Sequence, residues 1–333
     1  MDGRKRLVAV RFSALGDVAM TLPVLYSVAR CHPEVDIYMA TRPFFGKMFI
    51  NPPSNLHVVP MDPGKEYRGV RGIFRIAREL HALKPDMAAD LHDVMRSWSV
   101  TRLLGLGGAR TAGLDKGRFT RRDVMRGGRA QRPYISRYFD VFRRLGLDST
   151  IEFTSVFDGG TLPDIPVDIK APAVGIAPFA RYATKTYPPA AMRQVASMLA
   201  DAGVNVYLFG GRGAEAAELA SWERDGVVSL AGKFDLPVEL AIMSRLAVMV
   251  SMDSANQHLA AIAGTRVVTI WGGTTPACGF TAFGSRREDS ICMNLSCQPC
   301  SIAGTPECPL GHMSCMESIS PEVIVDKIIK IVL

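Results

Sequence analysis

Long apolar runs are missing from this sequence. Arg245, Asp253 and Arg266 interrupt its most hydrophobic region, so no stretch reaches the roughly 18 residues that a membrane helix needs. Near the start, the apolar residues Leu7, Val8, Ala9 and Val10 are stopped by Arg11. That is too short for the core of a secretory signal, and the expected location is the cytoplasm. Cysteine is scarce as well, with Cys31 alone before residue 278, and a disulfide framework is not expected in a cytoplasmic chain of this size. No internal repeat recurs at a solenoid period. No G-x-G-x-x-G follows the first strand, so the dinucleotide fingerprint is lacking.

What is present points to a folded α/β protein. At 333 residues and 48% hydrophobic, the chain can bury a large core and reads as two domains rather than one. Its net charge of +7 is uneven, because residues 118–144 hold nine arginines against only Asp123 and Asp140. A phosphorylated small molecule, a nucleic acid and an anionic membrane surface all fit such a stretch, as does a solvated loop.

Strand and helix alternate, which implies parallel sheets with helices on both faces. Residues 8–12 read as a strand, 13–17 as a tight turn, and the following residues to about Arg30 as one amphipathic helix. Strands at 36–40, 56–59, 87–91 and 110–114 follow, with helical segments at 44–50, 70–83, 95–104 and 134–145. Between 154 and 172 the pattern lapses among Gly159, Gly160, Pro163, Pro166 and Pro172, which marks a linker. It resumes with strands at 173–177, 205–210, 227–230, 246–251 and 267–271 and helices at 189–202, 236–245 and 321–332. The expected domains are residues 1–160 and 173–333.

Candidate chemistry gathers at strand ends. The segment 250–276 runs from a strand into Asp253-Ser254, both good helix N-caps, and the amides behind them form a positive helix end that favours phosphate. After the next strand comes Gly272-Gly273-Thr274-Thr275, at the edge where open α/β sheets bind ligands. The turn PFARYATKTYP, after strand 173–177, carries Arg181, Thr184 and Lys185. A lysine there can neutralise a departing diphosphate, or simply lie on the surface. Glu215, after strand 205–210, can accept ribose hydroxyls or favour the N-terminus of its own helix. In the first half, Asp17 stands after the first strand as a general base or a helix cap, and Asp90-Leu91-His92-Asp93 lies at the same edge. Phosphate and ribose groups held by one domain, with a carboxylate supplied by the other, suit nucleotide-sugar transfer by a single inverting displacement.

The segments FSALGDVAMTLPVL, PFARYATKTYP, LAGKFDL and SMDSANQHLAAIAGTRVVTIWGGTTP, in this order, resemble the heptosyltransferase family of lipopolysaccharide inner-core synthesis along nearly the whole chain. The resemblance implies an α/β GT-B fold, two Rossmann-like domains facing a cleft. It implies a glycosyltransferase that moves heptose from ADP-heptose to the lipopolysaccharide inner core with no cofactor and no catalytic metal. By that resemblance Asp17 is the catalytic base and Lys185 holds the diphosphate, with Thr184 beside it. Glu215 binds the adenosine ribose, and Gly232, Lys233 and Phe234 border the adenine. Asp253 contacts the donor sugar, Ser254, Ala255 and His258 lie near the diphosphate, and Gly273, Thr274 and Thr275 close the cleft. Arg118, Arg121 and Arg122 would meet an anionic lipid-linked acceptor, Kdo-lipid A or a heptosylated core. The same basic loop would hold the enzyme peripherally on the inner face of the cytoplasmic membrane. Ala255 stands where the family usually has glycine, and Tyr187 where it commonly has tryptophan.

The late cysteines stand apart from this chemistry. Cys297-x-x-Cys300 with Cys308 and Cys315 is a candidate structural zinc site, with Cys292 and His312 as spare ligands. The second pair is seven apart, wider than usual, and reduced thiols without metal are the competing reading. Two other functions fit parts of the sequence. The same fold with another nucleotide sugar would serve a different surface glycan. A zinc-containing nucleic-acid binder would use the arginines and cysteines, but stacking aromatics and a recognisable finger are lacking, and no nucleic-acid partner is expected.

Overall fold

The computed structural model describes residues 3–333; the first two residues of the expected 1–160 domain lie outside the described residues. The chain forms two compact units, residues 3–118 with 134–161, and residues 119–133 with 162–333. In the first unit, β1 (Lys5–Val10) leads through α1 (Leu15–Ala19) and α2 (Leu22–Cys31) to β2 (Val35–Thr41). Then come α3 (Pro43–Gly46), β3 (Leu56–Pro60), α4 (Gly69–His81), β4 (Met87–Asp90), α5 (Met95–Leu106) and β5 (Arg110–Gly113). Next, α6 (Arg121–Met125) belongs to the other unit, and α7 (Tyr134–Arg144) returns to the first.

All five strands are parallel, in the order β3-β2-β1-β4-β5. Leu7, Val8, Ala9 and Val10 are fully buried, because a central parallel strand is covered on both faces and has no solvent side to alternate with. On one face Ile76 and Leu80 of α4 and Val100 and Leu104 of α5 pack on Val8, Val10 and Ala88. The single helix expected after the first turn is two helices. Pro23 has no N–H to give the carbonyl of Ala19. The chain bridges the break with Thr21, whose N–H and hydroxyl both donate to the Val18 carbonyl, at 2.9 and 2.7 Å.

The second unit repeats the plan with β6 (Ala173–Ala177), α8 (Pro189–Asp201), β7 (Asn205–Leu208), α9 (Ala214–Ala220) and β8 (Val227–Ser229). It continues through α10 (Leu236–Met243), β9 (Val248–Met252), α11 (Ala255–Ile262) and β10 (Arg266–Trp271), and ends in β11 (Ser290–Cys292), α12 (Ser314–Glu317) and α13 (Pro321–Val332). Its six parallel strands run β11-β10-β9-β6-β7-β8. Val174, Val250 and Ile270 share a core with Leu199 of α8 and Ile324 and Ile328 of α13. Among the described residues no helix is long and apolar enough to cross a membrane.

The basic loop departs from the expected division. Residues 119–133 fold with the second unit, where Val124 packs with Cys278 and Ile302 and the Gln131 N–H donates to the Ala277 carbonyl at 2.9 Å. Arg118 therefore belongs to the first unit, and Arg121 and Arg122 to the second.

Each sheet has one point where its strand order reverses. In the first unit β1 connects towards β2 and the neighbouring β4 towards β5; in the second β6 connects towards β7 and the neighbouring β9 towards β10. Right-handed crossovers in opposite directions put the connecting helices on opposite faces and leave a crevice at the carboxyl ends of those strands.

Candidate functional site

In the second unit, Lys185 follows β6 and Asp253 follows β9, so both stand at this crevice. Lys185 Nζ lies 2.9 Å from Asp253 Oδ2, with both side chains largely buried. The same oxygen accepts from Thr274 Oγ1 at 2.7 Å, and Oδ1 accepts from Gln257 Nε2 at 2.9 Å. A buried carboxylate is tolerable only with such partners. Gln257 is itself fixed, accepting from Thr269 Oγ1 at 3.1 Å and donating to the Phe280 carbonyl at 3.2 Å. One carboxylate thus ties together the ends of β6, β9 and β10.

Thr184 anchors the backbone on which this cluster rests. Its hydroxyl donates to the Thr305 carbonyl at 2.8 Å and accepts the Thr305 N–H at 2.9 Å, while its own carbonyl accepts the Gly273 N–H at 2.6 Å. Gly272 is required for that approach, since a Cβ there would stand 2.4 Å from the Thr184 carbonyl oxygen. Thr275 is buried beside Thr274. Ser254 occupies the N-cap of α11 without capping it through its side chain; its hydroxyl lies 3.3 Å from Ser251 Oγ. Ser254 and Ala255 are half-buried, and His258 is buried one turn further along. The end of α11 thus keeps the positive character that attracts anions.

Further along the same sheet edge, Glu215 Oε2 accepts the Gly211 N–H at 2.6 Å. Glu215 stands in the first turn of α9, where its charge favours the helix N-terminus, and its bond to Gly211 lies in the turn before that helix. Gly232, at φ +67°, packs on Arg212, Lys233 is exposed and pairs with Glu223 at 3.6 Å, and Phe234 is half-buried.

In the first unit the crevice between β1 and β4 gathers a second cluster. Asp17 Oδ2 accepts the Ala14 N–H at 3.1 Å and pairs with Arg11 at 2.9 Å, the aspartate side chain being 28% exposed and the arginine side chain 3%. Arg11 also donates to the Leu91 carbonyl and lies over the Tyr138 ring at 5.8 Å. Burial opposes the Arg11 charge, yet Tyr138 and Asp17 outweigh it and raise the guanidinium pKa. Beyond them, Asp93 collects Lys116 and Arg118. Its carbonyl accepts from Lys116 Nζ at 3.1 Å and Arg118 Nη2 at 2.7 Å, and its carboxylate pairs with Arg118 Nη1 at 2.8 Å.

His92 completes the cluster, with Nε2 at 3.2 Å from Ser13 Oγ. Burial, then Arg11 and Lys116, push its pKa from the ordinary 6.5 down to about 3. A histidine with a depressed folded pKa binds fewer protons folded than unfolded, so acid destabilises the fold from about pH 6.5 downwards. His92→Gln is expected to remove on the order of 3 kcal/mol of the stability lost between about pH 7 and 4. Urea unfolding at both pH values checks this, and parallel losses in the two proteins would refute it.

Arg11, Lys116 and Gln257 are functional candidates that sequence reasoning did not single out. Arg11 reads as an interruption of an apolar run, and nothing local shows that its partner Leu91 lies 80 residues away. His92 is placed at the ligand edge by the sequence, but its low pKa arises from neighbours that only folding supplies.

All seven cysteines are free thiols. Cys297 Sγ lies 4.0 Å from His312 Nε2, Cys300 Sγ turns to the Gly273 carbonyl at 3.5 Å, and Cys292 Sγ accepts from Gln298 Nε2 at 3.6 Å. Among the described residues no group of three or more His, Cys, Asp or Glu side chains is arranged to hold a metal ion. Of the zinc set expected at Cys297, Cys300, Cys308 and Cys315, Cys315 is buried on α12 and Cys300 is directed at the glycine-rich loop, while burial and then the neighbouring Cys300, Cys297 and Cys308 push the Cys315 thiol up to about 11.

Comparison with known proteins agrees with the two-unit α/β fold. The model for glycosyltransferase family 9 (heptosyltransferase) matches residues 73–310. Lipopolysaccharide heptosyltransferase 1 of Pseudomonas aeruginosa is 25% identical over 320 residues, 89% of this chain and 86% of the relative. Lipopolysaccharide heptosyltransferase 3 of Escherichia coli is 25% identical over 285 residues, 78% and 81% of the two chains. The solved structure of E. coli heptosyltransferase WaaC with ADP shares the fold at a TM-score of 0.67 and 18% identity, over 98% of this chain and 99% of that one. Two parallel-sheet Rossmann-like units and a family match over most of the length carry one conclusion: this chain is a glycosyltransferase and belongs to family 9, the heptosyltransferases.

Proposed function

We propose that this enzyme transfers heptose from ADP-heptose to the lipopolysaccharide inner core by a single displacement with inversion. The observation that carries the reading is the order of side chains along the second sheet. Asp253, Lys185, Glu215 and Gly232 follow β9, β6, β7 and β8, which are consecutive neighbours. At about 4.8 Å per strand the row is about 14 Å long, and it meets a sugar, a diphosphate, a ribose and a base in that order, the two end groups reaching beyond it. Asp253 contacts the sugar and orients Lys185. Lys185 and the N-terminus of α11, with Ser254, Ala255 and His258, take the diphosphate. Glu215 takes the ribose by exchanging its bond to Gly211, and Gly232, Lys233 and Phe234 border the adenine. Gly273, Thr274 and Thr275 form the wall on the β10 side.

Asp17 is the base. It accepts the proton of an acceptor hydroxyl as that oxygen bonds to the anomeric carbon, and ADP leaves with the electron pair of the broken C–O bond. Lys185 stabilises the charge that develops on the leaving group. The acceptor is an anionic lipid-linked sugar, Kdo-lipid A or a heptosylated core, met on the cytoplasmic side by a peripherally bound enzyme. Arg11, Lys116 and Arg118 give the surroundings of Asp17 the matching charge.

A thermal-shift panel of nucleotide sugars tests the donor. ADP-heptose at about a hundred times its Kd is expected to stabilise the fold by about 2.7 kcal/mol, while UDP- and GDP-sugars at equal concentration leave Tm unchanged. A shift with one of those sugars and none with ADP-heptose would move the assignment to another surface glycan.

A further inference from the structure

The inner sides of α4 and α5 are occupied by the sheet, but their outer sides do not look like ordinary water-facing helix surfaces. Val70 and Phe74 on α4, and Met95, Trp98 and Leu106 on α5, are between 50% and 86% exposed. Scattered exposed apolar residues are normal; five large ones on two neighbouring helices are not. On α5, Met95, Trp98, Arg102 and Leu106 recur at intervals of three and four and so form one stripe. On α4, Val70 and Phe74 run beside Arg71, Arg75 and Arg78 in the same way.

Charge on this face has one sign. The two helices contain Arg71, Arg75, Arg78, Arg96 and Arg102 against the single carboxylate Glu79. Glu79 is already bonded to Arg75 and Tyr67. Arg96 turns inward to the Pro63 and Tyr67 carbonyls, which leaves four arginines among the exposed apolar groups. Arg102 stacks over Trp98, 4.4 Å from the ring centroid.

We propose that the outer face of the α4–α5 pair docks on an anionic phospholipid bilayer. Apolar and aromatic side chains ringed by arginine fit the boundary between headgroups and acyl chains, where Phe74, Trp98 and Leu106 enter and the guanidinium groups meet phosphate. A second copy of the chain would bring arginines against arginines, which opposes pairing through this face. The docking face is distinct from the basic loop, which folds against residues 277–280 of the other unit. It does not depend on which sugar the enzyme transfers.

Cosedimentation of the full chain with vesicles of equal parts phosphatidylglycerol and phosphatidylcholine tests the face, beside vesicles of phosphatidylcholine alone. The expected result is binding to the anionic vesicles only, weakened by salt. Phe74→Ser with Trp98→Ser is expected to lower the partition coefficient roughly tenfold or more. Arg71→Gln with Arg78→Gln is expected to lower it about thirtyfold, and both double variants keep the wild-type Tm because the replaced side chains are exposed. Trp222 and Trp271 are buried, so a blue shift of tryptophan emission on binding reports Trp98. No binding of the wild type to anionic vesicles, equal binding by the helix-face variants, or loss confined to Arg121→Gln with Arg122→Gln would each overturn the proposal. So would a wild-type dimer that ignores vesicles and becomes monomeric in the Phe74→Ser, Trp98→Ser variant.

Discussion

Asp17→Asn is expected to lower kcat by about three orders of magnitude while leaving ADP affinity near the wild-type value, with Tm lowered by the loss of the charge opposite buried Arg11. The substitution keeps the shape of the side chain and an oxygen able to accept the Ala14 N–H, now at 3.1 Å from Asp17. What it removes is the capacity to take a proton, and the charge opposite Arg11. Arg11 keeps its bond to the Leu91 carbonyl, so the buried guanidinium is not left without a hydrogen-bond partner. Initial rates with saturating donor, alongside ADP titration calorimetry, separate a lost base from a lost fold. Turnover within a few-fold of wild type would make Asp17 a helix-end residue and nothing more.

Lys185→Ala is expected to cost more than activity. If Lys185 is the cation proposed to face the leaving diphosphate, its loss lowers kcat/KM by about 10²- to 10³-fold and weakens ADP binding. It also strips Asp253 of its counter-charge at 2.9 Å. Removing one partner of a buried ion pair destabilises by roughly 3–5 kcal/mol, moderated here because Thr274 and Gln257 still donate to the carboxylate. Lys185→Met combined with Asp253→Asn is expected to recover most of that stability and none of the rate. Lys185→Arg should not restore activity, because Gly304 lies so close to the lysine stem that a Cβ there would be 2.5 Å from Lys185 Cδ. Urea denaturation and steady-state kinetics on the three variants check both halves. A stable Lys185→Ala protein with unaltered kcat/KM would remove Lys185 from the donor site.

The contrast between these two sites shows what a sequence carries locally. The expected strand 173–177 and helix 321–332 coincide with β6 and α13, because each is bounded by abrupt changes of polarity and by proline. Lys185 and Asp253 are legible for the same reason: each follows a buried strand, and strand ends are marked in the chain. Their direct pairing is less visible, since it needs β6 and β9 to be neighbours across intervening strands. The break at Pro23 is a local signal outweighed by a strong apolar pattern on both sides. The basic loop shows the opposite failure, in that its arginines are conspicuous but its membership of the second unit rests on Val124 and Gln131 contacts with residues after 270. Arg11 and His92 owe their character to burial beside one another, which composition does not record.

The proposed reaction cleaves one nucleotide sugar by one displacement, with Asp17 as the base and Lys185 at the leaving group. The decisive experiment incubates the wild-type enzyme with ADP-heptose and a heptose-free Kdo-lipid A acceptor and follows ADP release, acceptor mass and, by NMR, the anomeric configuration of the product. The expected result is one heptose added per ADP released, with inverted anomeric configuration, and no product from Asp17→Asn. ADP release without heptosylated acceptor, retention of configuration, or turnover only with a different nucleotide sugar would contradict it.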